Sequence, residues 1–169
     1  LSWGQDLDHE HNPFQCNLGY QVSLSGKGEW EKKADYVGKE ALEKMKAALA
    51  DGKKPYKLQL VGFELGGKPI DEYAPDFWLV SPEDGGDPCG FITSPWFHPE
   101  KGKNIAMGYI PFDGTLNANG FPKWELGKKF KVHLPDIYAD SPGEPVDAVT
   151  VEVPFTESHN ANTREVVKG

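Results

Sequence analysis

The sequence predicts an α+β chain that is mainly β: a six-stranded antiparallel β-barrel in its C-terminal two-thirds, preceded by one strand and one helix. Three observations predict it. Between residues 56 and 153, six apolar runs of strand length are separated by Gly- and Pro-containing turns, the pattern of a sheet that closes or nearly closes. One stretch, 38–50, carries apolar residues at helical spacing. Upstream of it, residues 14–24 alternate apolar and polar.

Taken in order, residues 1–13 are polar and read as irregular, closing at Asn12-Pro13. The alternation of Phe14, Cys16, Leu18, Tyr20, Val22 and Leu24 with polar residues and Gly19 predicts a strand, broken by Gly26-Lys27-Gly28. Asp35 is a suitable cap for a helix over 38–50, where Ala41, Leu42, Met45, Ala48 and Leu49 share a face. Glu40 and Lys44 form a supportive pair four residues apart, and Gly52 is a natural stop. The six strands follow at 56–65, 77–80, 90–93, 105–110, 129–134 and 146–153, with a strong turn at Glu83-Asp84-Gly85-Gly86-Asp87-Pro88. The connection between the third and fourth strands, with Pro95, Trp96, Phe97, His98, Pro99 and Gly102, reads as a loop long for a hairpin. Stretches 113–127 and 135–145 read as surface loops, and 156–169 as a polar tail.

Composition narrows the function. A formal charge of −8 makes nucleic acid and anionic lipid poor partners. No run approaches the length of apolar sequence that spans a bilayer, and Leu1-Ser2-Trp3-Gly4-Gln5-Asp6 has neither the basic nor the apolar region of a secretion signal. The chain opens without an initiator Met, which either processing or a place within a longer chain would explain. Cys16 and Cys89, without CxxC spacing, read as buried thiols in a reducing compartment, hence a cytoplasmic location. Asp6, Asp8, His9, Glu10 and His11 are of metal-ligating type, but their spacing completes no tetrahedral set; a solvated polar loop is the reading, with no metal. No Ser-His-Asp order, GxSxG or phosphate-cradling glycine loop is present.

Three blocks carry a resemblance. Gly4-Gln5-Asp6 leads to Asn12-Pro13-Phe14-Gln15-Cys16-Asn17-Leu18-Gly19-Tyr20; Asp35-Tyr36-Val37-Gly38-Lys39-Glu40-Ala41-Leu42 precedes the first barrel strand; and CGFITSPWFHPEKGKNIAMGYIPF, from Cys89 to Phe112, is finished by Val151-Glu152-Val153-Pro154-Phe155. In these blocks and their order the chain resembles the glycine-cleavage T-protein family of tetrahydrofolate-dependent enzymes. Its divergent insertions look more like the family's demethylase branches, which act on dimethylsulfoniopropionate or aryl methyl ethers. The resemblance implies a division into the end of a middle, folate-binding lobe (1–54), a C-terminal barrel (55–155) and a tail (156–169). It implies the C-terminal portion of an enzyme that moves a one-carbon unit from an N-, O- or S-methyl donor to folate, with the remainder of the same enzyme and a small-molecule methyl donor as partners. The family's catalytic Asp would lie before Leu1, so no catalytic residue is expected in this chain. A barrel kept as a non-catalytic binding or assembly module is the alternative, as is a relative serving RNA modification or iron–sulfur maturation.

The resemblance also implies three folate-binding residues. Gln15 stands where the family often has a Glu that grips the pteridine; an amide offers one acceptor oxygen and an N–H donor pair instead of two acceptors. Tyr20 matches an aromatic near the pteridine, although alternation alone would make it core. Trp96 is a candidate to stack on the p-aminobenzoyl ring, with Trp78 also near that end of the barrel. His98, in the same connection, is of a type that titrates near neutrality.

Overall fold

The computed structural model of the chain describes residues 1–22, 24 and 36–155. Its centre is a closed barrel of six strands: β1 (Leu58–Leu65), β2 (Trp78–Pro82), β3 (Gly90–His98), β4 (Lys103–Pro111), β5 (Lys129–Val132) and β6 (Val146–Val151). Their order around the barrel is β1-β4-β3-β2-β5-β6, and every adjacent pair is antiparallel. The six apolar runs and the mainly β class are thus as the sequence predicts. Closure leaves no open sheet edge for another chain to pair with.

Period-two alternation fills the barrel. Val61, Phe63 and Leu65 of β1 meet Val80, Ile92, Ala106, Phe130, Val132 and Ala148 from the other strands. Trp78 also belongs to this core, its ring 6.1 Å from that of Tyr138. It is therefore unavailable for stacking on a ligand. Stretch 135–145 is more than a surface loop: Tyr138 and Ala139 are buried, and the Tyr138 carbonyl accepts the Lys68 N–H at 2.7 Å. In stretch 113–127, likewise, Trp124 packs against the core and donates its indole N–H to the Val151 carbonyl at 3.0 Å.

The β3–β4 connection departs from expectation. β3 runs on to His98, which pairs with Lys103, so only four residues turn the hairpin. The long loop is a long strand with a bulge between Ile92 and Ser94. Pro95, read from sequence as part of that loop, sits on the strand where β3 has passed its last partner on β2, Trp78, and a missing N–H costs nothing on that side.

The larger departure is at 14–24. Residues 13–17 form turns, Asn17 has a positive φ of 60°, and Gly19–Gln21 is a single 3₁₀ turn. The expected strand is absent through residue 22. Local hydrogen bonding explains this: the Asn12 carboxamide oxygen accepts the Gln15 N–H at 2.9 Å, and the Pro13 carbonyl accepts the Leu18 N–H at 2.7 Å. The apolar residues face different neighbours, not one sheet face. Cys16 joins Leu60, Met107 and Tyr109 on the outside of the barrel, whereas Phe14 joins Leu49 and Phe112. Ser23 and the Gly26-Lys27-Gly28 break lie outside the described residues.

The helix α1 (Lys39–Ala50) falls where predicted, with Leu49 buried and Leu42 and Met45 half-buried against the same cluster. Lys44 and Glu40 pair at 2.6 Å, and Gly52 follows with φ 73°. Asp35 lies outside the described residues; the N-cap position itself is held by Gly38 in the left-handed conformation.

Candidate functional site

The N-terminal residues are bound to the barrel wall by a buried carboxylate. Asp6 is 3% exposed. Its Oδ1 accepts from the Thr93 and Ser94 hydroxyls, both at 2.6 Å, and its Oδ2 from the Ser2 N–H at 2.7 Å. The Tyr109 hydroxyl donates to the Asp6 carbonyl at 2.7 Å. The β3 bulge presents the two hydroxyls side by side. The reading of Asp6 as a solvated loop residue is corrected: burial of its carboxyl group is sustained here by three donors. Asp8 and His11 pair at 2.8 Å, and the Glu10 N–H and His11 hold the Asp8 carboxyl below its ordinary range. Among the described residues no group of three or more His, Cys, Asp or Glu is placed to hold a metal.

Beside Asp6, the Cys16 thiol lies 3.5 Å from the Tyr109 hydroxyl, and the Tyr109 ring lies 4.9 Å from His11. Burial pushes both the Cys16 thiol and the Tyr109 phenol up, so neither ionises near neutrality. Cys16 acts as a small apolar side chain, not a nucleophile. Cys89 is half-buried and likewise raised by burial; both cysteines are free.

From this anchored segment the chain turns at 14–17 and presents Gln15 and then Tyr20. The Gln15 carbonyl accepts the Leu60 N–H at 3.0 Å and the Gln59 side-chain amide at 2.9 Å. On the Gln15 side chain, Oε1 accepts from Asn12 at 3.2 Å, while Nε2 donates to no described residue. The group Gln15 offers a ligand is thus a donor pair.

Tyr20 is 69% exposed, which corrects the core reading that alternation suggests. It lines a pocket of about 500 Å³ with Phe14, Asn17, Asn117, Phe121 and Trp124. Aromatic faces with amide edges suit a flat heterocycle that carries both donors and acceptors, so the donor set fits a pteridine. The pocket's wall comes from three places remote in sequence, the 14–20 segment, the 117–126 loop and Glu152-Val153 after β6. Composition marked neither Asn117 nor Phe121 as a site residue; the Asn117-Ala118-Asn119-Gly120 run signals only a turn.

The structure does not gather all three predicted residues. Tyr20 lines this pocket, whereas neither Gln15 nor Trp96 is among its lining residues. Trp96 stands on β3 opposite Ile105 and is 49% exposed. His98, at the end of β3, accepts the Lys101 N–H at 3.4 Å and serves its turn. A larger cleft, about 760 Å³, lies at another part of the barrel, where Glu64, Lys103, Lys129 and Asp147 surround Gly66 and Gly67. Its charges are paired: Glu64 with Lys101 and Lys103, Asp147 with Lys131, and Lys129 with Glu83.

Residues 59–157 match the family described as the glycine cleavage T-protein C-terminal barrel domain. An aminomethyltransferase of Thermosynechococcus vestitus is 31% identical over 156 residues, 92% of this chain and 33% of that one. One from Thermotoga sp. (strain RQ2) is 32% identical over 155 residues, again 92% and 33%. The chain spans about a third of the length of these curated relatives. Among solved structures, the glycine cleavage system aminomethyltransferase T of Bartonella henselae superposes with a TM-score of 0.62 at 21% identity, over 93% of this chain and 35% of that one, a likeness of fold.

Proposed function

The chain belongs to the glycine cleavage T-protein family through its C-terminal barrel domain, and from that premise we propose that it forms the C-terminal part of a tetrahydrofolate-dependent enzyme that transfers a one-carbon unit. The observation that carries the reading is the family match over the barrel, continuous with alignment to curated aminomethyltransferases over 92% of the chain. In this reading residues 1–54 end a middle lobe, 55–155 are the barrel and 156–169 a tail. The donor is an aminomethyl or an N-, O- or S-methyl group, the demethylase chemistries included, and folate accepts the carbon. The remaining lobes of the enzyme complete the site, and the setting is the cytoplasm, which suits two free thiols.

Within that assignment, Gln15 donates its amide hydrogens to the pteridine edge and Tyr20 lies against the ring. Phe121 and Trp124, which line the same pocket, extend the apolar wall. Trp96 stands apart from this pocket, so its place is along the folate tail, where an exposed indole offers a stacking face. Folate supplies the nucleophilic nitrogen that takes up the carbon. The work of these residues is to orient it and exclude water, which is where the rate gain of a two-substrate transfer arises.

The test is made on the protein from its complete reading frame. Calorimetric titration with tetrahydrofolate should show binding, and a screen of aminomethyl, N-methyl, O-methyl and S-methyl donors should show transfer to folate. A folded full-length protein that neither binds folate nor transfers a carbon would overturn the reading in favour of a non-catalytic module.

A further inference from the structure

Among the described residues Gln59 is the most deeply buried side-chain amide, at 1% exposure on β1, in line with the apolar Val61 and Phe63. A glutamine there is costly unless every polar atom is paired. All its donor contacts go to one place. Nε2 donates to Asn17 Oδ1 at 2.6 Å, to the Gln15 carbonyl at 2.9 Å and to the Phe14 carbonyl at 3.3 Å. Asn17 in return donates from Nδ2 to the Leu60 carbonyl at 2.7 Å. The other end of the amide, Oε1, accepts from the Tyr56 hydroxyl at 3.0 Å. Tyr56 is held by its ring stacked on Phe112, centroids 4.8 Å apart, and burial raises its phenol so that it stays a donor at neutral pH.

The Phe14 and Gln15 carbonyls can only accept, so they fix the Gln59 amide with its N–H groups toward the 14–17 turn, and the Tyr56 hydroxyl pairs the amide oxygen at the other end. With N–H groups facing it, the amide gathers acceptors from three residues of that turn, and Asn17 at φ 60° closes it. An apolar residue would fill this barrel position as Val61 does the next inward one. What it would not do is set the path of the turn.

We infer that Gln59 is a positioning residue for the pteridine site, its buried amide, with the oxygen paired by Tyr56, holding the 14–17 backbone so that Gln15 presents its donor pair to the ligand. This rests on the reading that Gln15 contacts folate.

The test is the dissociation constant of tetrahydrofolate, by titration calorimetry on the complete enzyme, for Gln59→Met, Gln15→Ala and the double variant. Gln59→Met keeps the side-chain length and removes the amide. It should weaken binding roughly three- to tenfold, the effect of one lost hydrogen bond, and should have no further effect in the Gln15→Ala background, because it acts through Gln15. Tyr56→Phe keeps the ring stack and loses only the hydroxyl that pairs the Gln59 amide oxygen; it should weaken binding by about two- to threefold, also only when Gln15 is present, and it serves where Gln59→Met does not fold. Val80→Ala, on the strand farthest from β1 in barrel order, lowers the melting temperature by another route and should leave the constant unchanged.

Three results would overturn the inference while leaving the folate reading intact: Gln15→Ala weakens binding but Gln59→Met and Tyr56→Phe do not; the two sites act additively; or Val80→Ala weakens binding as much as Gln59→Met. If Gln15→Ala itself changes nothing, Gln15 leaves the folate site and the positioning role falls with it.

Discussion

At Asp6 a single carboxylate does what a hydrophobic contact does elsewhere: it decides where a segment lies. With three donors on its oxygens and 3% exposure, Asp6 ties residues 1–12 to the β3 bulge. Asp6→Ala should destabilise the protein by about 2–3 kcal/mol, since three hydrogen bonds to a buried carboxyl group are lost and the Ser94 hydroxyl loses its only acceptor among the described residues; thermal denaturation measures it, and an unchanged melting temperature would remove the anchor. Gln15 is a test of a different kind. Its side chain contributes little to the fold beyond one bond to Asn12. In the complete enzyme Gln15→Ala should therefore lower tetrahydrofolate affinity by about 1–3 kcal/mol with the melting temperature nearly unchanged, the first read by calorimetry and the second by a thermal scan. Neither role was visible from residue type alone. Asp6 sits in a run of acidic and histidine residues that looks solvated or metal-binding, and only the arrival of Thr93 and Ser94 from far along the chain gives it partners.

At the scale of elements, the β3–β4 hairpin is held by backbone approach. A Cβ at Gly90 would lie 2.0 Å from the Tyr109 carbonyl oxygen. Gly90→Ala should cost about 3 kcal/mol or prevent folding, as overpacking against backbone does; chemical denaturation reads it, and a loss below measurement would contradict so close a contact. The hairpin's other end carries an ion pair across strands, Glu64 of β1 with Lys103 of β4 at 2.6 Å. Lys103 holds the Glu64 carboxyl below its ordinary range. A lowered folded-state value means stability that is present above the unfolded glutamate value of about 4.3 and is lost as pH falls through the folded one. Glu64→Gln should thus lower stability at pH 7 by no more than about 1 kcal/mol, with the difference from wild type vanishing in acid; urea titrations across pH show whether it does. The elements themselves were legible where pattern and environment agree. Six strands and α1 meet that condition, because each buries one face and shows the other to solvent or to a covering segment. Through residue 22 the alternation gave no strand because Asn12, Asn17 and Gly19 favour turns, and Phe14 packs in a different cluster from Cys16 and Leu18.

For the whole molecule, a closed barrel with a buried core is a self-sufficient unit, and the described chain leaves its aromatic-lined pocket open to whatever stands beside it. We expect residues 1–169 alone to give a cooperative thermal transition, yet to show no one-carbon transfer and weak or no tetrahydrofolate binding; turnover by this chain with no other protein present would refute the division of labour between lobes. By itself the sequence determined the class, the number and places of the barrel strands, the helix and the family, because each is written in local periodicity, turn chemistry or ordered motifs. The path of the first 22 residues, the length of β3, the burial of Asp6, Trp78 and Tyr138, and the joining of Tyr20 with Asn117 and Phe121 were decided only by tertiary structure. The reason is physical: these features depend on partners brought together across the barrel from distant parts of the chain, and no local pattern records which hydroxyl, carbonyl or ring will arrive.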